Sequence, residues 1–88
     1  MKLLRKCEAD LEMPGIETLP DRLRYLRVLR GMTQFDLAMR LPVPISEMTV
    51  SRWERGETEP RPTRLAHLAA ALQTTVPWLA EGKGPVPE

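Results

Sequence analysis

Nine prolines in 88 residues limit how long any element of this chain can run. Proline lacks a backbone N–H and fixes φ, so it starts or stops helices and is kept out of central strands. The prolines stand at 14, 20, 42, 44, 60, 62, 77, 85 and 87, and the stretches between them carry apolar residues at helical spacing. The β-branched and aromatic runs that strands need are missing. These features predict an all-α fold of short helices. Eighty-eight residues leave room for one domain with one core.

Caps and stripes place five helices. Thr18 precedes the first, over 19–30, where Leu19, Leu23 and Leu26 form the inward stripe and Gly31 follows as a residue free to adopt positive φ. Thr33 caps the second, over 33–41; Asp36 lies in its first turn, Leu37, Ala38 and Leu41 face inward, and Pro42 and Pro44 end it. Ser46 caps the third, over 46–55, which stops at Gly56. Val50 and Trp53 are its inward pair, leaving Glu47, Met48, Thr49, Arg52 and Arg55 outside. After the linker ETEPRP come helices over 63–72 and 75–81. The predicted core is Leu23, Leu26, Leu37, Ala38, Val50, Trp53, Leu65, Leu68, Leu72 and Leu79. Residues 18–82 form the domain. Residues 1–17 are an arm or a short helix, with Leu3, Leu4 and Cys7 on one turn, and residues 83–88 a flexible tail rich in Gly and Pro.

Several function classes are set aside by composition. A single cysteine, Cys7, rules out an intrachain disulfide and suits a reducing compartment. No apolar run approaches the ~20 residues of a membrane span, and the N-terminus lacks a signal-peptide apolar region. A cytoplasmic protein with no membrane association is expected. One His and one Cys do not make a zinc site, and no Gly-rich phosphate loop or nucleophile–base pair is visible, so neither enzyme activity, a metal nor a cofactor is expected. His67 falls on the polar side of its helix and reads as solvated.

Net charge is only +1, but it is unevenly spread. Residues 18–64 hold nine Arg against six Asp or Glu, giving +3; residues 1–17 hold three basic and four acidic residues, and residues 65–88 hold one and two, so each flank is −1. A basic middle fits a nucleic-acid footprint, although a solvated helix surface would look the same.

The segments RLRYLRVLRGMTQFDLAMRL, SEMTVSRWERGETEPRP and LAHLAAALQTTVPWLAEGKG resemble the Cro/repressor (Xre-type) helix-turn-helix family, with its lambda-repressor-like domain, over residues 19–84. The resemblance implies a DNA-binding domain whose central helix-turn-helix lies between Gln34 and Arg55. A helix that reads DNA enters the major groove end-on, so its first turn carries the base-reading side chains. The resemblance makes these Glu47, Met48 and Thr49, sets Arg52 against bases or backbone, and sets Gln34, at a helix terminus, against a phosphate. Together with Ser46, Arg55 and Arg61, the last reaching toward the minor groove, they are the expected DNA-contacting set. Arg27 and Glu54 match a pair that often forms an internal salt bridge. Three features depart from the family pattern: the turn L-P-V-P-I-S is two residues longer than usual, Glu47 opens the recognition helix, and Glu57 and Glu59 lie in a linker that is often basic.

The leading expectation is a transcriptional repressor acting as a homodimer on a partly palindromic operator in double-stranded DNA. Trp78 and Leu79 of the last helix are expected at the dimer interface. Two alternatives stand beside it: an antitoxin that also neutralises a toxin protein through residues 1–17, and a protein-interaction module that has lost DNA binding.

Overall fold

The computed structural model describes residues 15–88, so the expected turn at Leu3, Leu4 and Cys7 lies outside the described residues. Among these residues five helices form and no strand does: α1 Leu19–Leu29, α2 Gln34–Arg40, α3 Glu47–Glu54, α4 Pro62–Ala71 and α5 Val76–Glu81. The predicted ranges had counted caps as helix. Thr33, Ser46 and Thr75 keep extended backbone while their hydroxyls accept the N–H of Asp36, Thr49 and Trp78. At α2 the cap is reciprocal, since Asp36 accepts the Thr33 N–H at 3.0 Å, and this bond holds the Asp36 carboxyl below its ordinary range. α4 begins one residue earlier than expected. Pro62 supplies the helical φ there and gives up an N–H that would have had no partner.

The helices close around one core. α2 and α1 both pack on α3, while α5 packs on α4 and α1. Nine of the ten predicted core residues are buried; Leu65 is half-buried. Met32, Leu41, Ala69 and Trp78 join them. His67 is also half-buried rather than solvated, and its Nδ1 has no hydrogen-bond partner among the described residues.

The dimer surface expected at the last helix needs correction. Trp78 is 2% exposed and Leu79 0%, so both side chains lie inside their own domain. Trp78 sits against Tyr25 of α1, with ring centroids 6.2 Å apart and planes tilted by 49°. An apolar helix at the end of a sequence looks the same whether it closes a core or waits for a partner.

Arg22 of α1 and Arg30, the residue that caps its C-terminus, bind carbonyls distant in sequence. Arg22, 6% exposed, donates from Nε to the Leu79 carbonyl at 2.9 Å, from Nη2 to Ala80 at 2.8 Å and from Nη1 to Ile16 at 3.1 Å. Arg30 donates to the carbonyls of Leu72, Gln73 and Glu88 at 2.9, 3.2 and 2.7 Å. The last carbonyls of a helix lack intrahelical donors and form the negative end of its dipole, so a guanidinium fits them in number and sign. Gly82 is required beside this clamp: its φ is +74°, and a Cβ there would come within 3.2 Å of the Arg22 guanidinium.

Candidate nucleic-acid interface

α2 and α3 are joined by residues 41–46, and this long turn is fixed along its length. Leu41 is buried, Ile45 packs on the core, and the Ile45 N–H returns to the Ala38 carbonyl at 3.3 Å. From α4, Arg64 donates to the Val43 carbonyl at 3.1 Å. Between these anchors Pro42, Val43 and Pro44 are all exposed.

The inward side of α3 is Val50, Trp53 and Glu54, all buried. Its outward side is centred on Met48, Arg52 and Arg55. Met48 is 54% exposed, high for a large apolar side chain. A groove of about 430 Å³ runs between the two helices, lined by Gln34, Ser46, Glu47, Met48, Ser51 and Arg55. Five of the eight expected contact residues therefore share one surface. Arg52 is exposed on α3 outside the groove lining, Thr49 is half-buried, and Arg61 is the exposed N-cap of α4. Ser51 was missed, although helical spacing could have found it four residues from both Glu47 and Arg55.

Several side chains in this region are already engaged. The Ser46 hydroxyl accepts the Thr49 N–H at 3.2 Å and lies 2.9 Å from the Thr49 hydroxyl, so both residues help cap α3. Glu54, 5% exposed, binds Arg27 through Nε at 2.6 Å and Nη2 at 3.1 Å, and it also accepts from Gln34 Nε2 at 3.1 Å. Arg27 donates further to the Met32 carbonyl at 2.9 Å. The ion pair that the resemblance implied is therefore present and links α1 to α3.

Arg55 is held by Glu57 at 2.8 and 3.3 Å and also donates to the Ser51 hydroxyl. The Arg55 guanidinium keeps the Glu57 carboxyl below the usual carboxylate range. A phosphate approaching Arg55 would compete with this carboxylate. Glu57→Gln is expected to strengthen binding to duplexes of any sequence and to steepen the slope of log affinity against log salt by up to about one. Salt titration measures it, and an unchanged slope would show that Arg55 does not reach the DNA backbone.

Two capped helices across a fixed turn, with α1 packed on the second of them, define a lambda-repressor-like helix-turn-helix domain. The chain belongs to the helix-turn-helix family HTH_3, whose model matches residues 23–79. It is 40% identical over 73 residues to the HTH-type transcriptional regulator DicA of Escherichia coli K12, covering 80% of this chain and 53% of DicA. It is 34% identical over 68 residues to an uncharacterized HTH-type transcriptional regulator of Haemophilus influenzae, covering 76% of this chain and 27% of that protein. The chain thus spans about half of the first relative and about a quarter of the second. Among solved structures it resembles the P22 c2 repressor protein in complex with the synthetic operator 9T, with a TM-score of 0.68, 32% identity and coverage of 75% of this chain and 97% of that one.

Proposed function

We propose that the chain binds double-stranded DNA in a sequence-dependent way and represses transcription as a dimer on a partly palindromic operator. The observation that carries this reading is the groove that joins Gln34 of α2 to Ser46, Glu47, Met48 and Arg55 around α3, within a domain whose fold matches an operator-bound repressor. α3 presents its first turn, so Glu47, Met48 and Thr49 face base edges. Arg52, Arg55 and Gln34 hold phosphates, and Arg61 extends the contact beyond the turn that follows α3. One such helix reads too few base pairs for a unique site, which favours two copies on half-sites about 10 bp apart. A single cysteine suits the reducing cytoplasm.

The test is selection of bound duplexes from a random pool, then footprinting and salt-dependent binding to the selected and a scrambled duplex. A symmetric footprint with two half-sites supports the dimer; one unsymmetric half-site bound by a monomer contradicts it. Equal affinity for both duplexes removes sequence-specific recognition. Glu47→Gln sharpens the result. With Glu47 accepting from a cytosine N4, the variant loses preference at one base pair, a cost of roughly 1–3 kcal/mol, while binding to scrambled DNA tightens because a charge repelled by phosphate is gone. With Glu47 serving only the helix dipole, preference stays and all duplexes bind more tightly.

A further inference from the structure

The Gln34 side chain has two amide hydrogens, and among the described residues one of them is engaged. Glu54 can only accept, so the amide turns its nitrogen toward the carboxylate, 3.1 Å from Oε1. Glu54 is itself fixed by two bonds from Arg27, and Arg27 by the Met32 carbonyl. A partly buried chain of charge-assisted bonds thus runs from α1 through α3 to the first residue of α2. Gln34 is half-buried, with its other side on the groove. In a planar amide, fixing one N–H fixes the direction of the second.

We propose that Glu54 is a positioning residue for DNA binding: it holds one N–H of Gln34 so that the other is aimed across the groove mouth at a DNA phosphate. The inference rests on the DNA-binding reading given above and adds a role for a buried residue that touches no DNA. Arg27 balances the Glu54 charge, so the pair orients the amide without presenting a net negative charge to the phosphate. A glutamine free to rotate would have to be ordered on binding, whereas this one is ordered beforehand.

A double-mutant cycle tests it, with Gln34→Ala, Glu54→Gln and the pair measured by duplex binding at several salt concentrations. Each single variant is expected to weaken binding to the selected and scrambled duplexes alike, by roughly tenfold or more, because a hydrogen bond to a charged group is lost. The double variant should bind no more weakly than the weaker single, and the salt slope should hold because the amide carries no charge. If Glu54 serves the fold alone, the two losses multiply and the proposal is overturned. Should Glu54→Gln fail to fold, the side-chain amide of Gln34 in the wild-type chain decides by nuclear magnetic resonance. One of its hydrogens should be protected from exchange in the free protein and the second only on DNA; two freely exchanging hydrogens in the free protein overturn the proposal. A wild-type chain that binds no duplex removes the DNA-binding reading and this one with it. A wild-type chain that binds while the losses multiply removes this one alone.

Discussion

Leu37→Ala is expected to lower the melting temperature by roughly 10 °C or more. Leu37 is 0% exposed and belongs to the core against which α1 and α3 also pack. Removing its isobutyl group loses the transfer energy of the buried atoms and leaves a void, together about 2–5 kcal/mol at a fully buried site. A domain this size has about 5–15 kcal/mol in total, and each kcal/mol moves the midpoint by about 4–8 °C. The effect reaches the candidate interface because Leu37 anchors α2, which carries Gln34. Thermal circular dichroism checks it: a variant melting within a degree of wild type would place Leu37 outside the cooperative core.

Arg22→Ala should be comparably damaging, by about 3–5 kcal/mol. Burying a guanidinium is costly, and what offsets the cost here is that Nε, Nη1 and Nη2 each meet a carbonyl, two of them at the C-terminus of α5. The alanine variant leaves those carbonyls without donors and opens a gap under the last helix. Arg22→Lys should recover little, because one ammonium cannot span three carbonyls held apart by the fold. The readout is the urea midpoint followed by fluorescence of Trp53 and Trp78, both buried. A midpoint unchanged in Arg22→Ala would show that the clamp contributes no net stability.

What could be read from the sequence was local. Thr33, Ser46 and Thr75 announce their helices through bonds three residues long, and Leu23, Leu26, Val50 and Trp53 announce their buried faces through helical spacing. Contacts between distant residues were not legible from local pattern, and the resemblance supplied only the Arg27–Glu54 pair. Arg22 and Arg30 were counted toward a basic footprint of +3, yet they bind carbonyls 57, 58 and 42 residues away and serve the fold. Met32 lies between two helices, outside any stripe, and still reaches the core. At the candidate site the resemblance brought Gln34, Ser46, Glu47, Met48 and Arg55 to one groove, but the bond that orients Gln34 joins residues 20 apart and had no signature.

The Arg22 clamp has a consequence for the order in which the domain can assemble during synthesis. The helix-turn-helix is complete in the nascent chain once Arg55 has been made, but two of the three acceptors of Arg22 do not yet exist. Leu79 and Ala80 are made only after Arg55. Until they arrive, α1 must keep its guanidinium in water, and the face of α1 that buries Leu23 and Leu26 cannot seal. The helices of the candidate interface are therefore made before the α5 carbonyls that complete the packing of α1. A chain cut before Leu79 is expected to leave the Arg22 guanidinium without two of its three carbonyls.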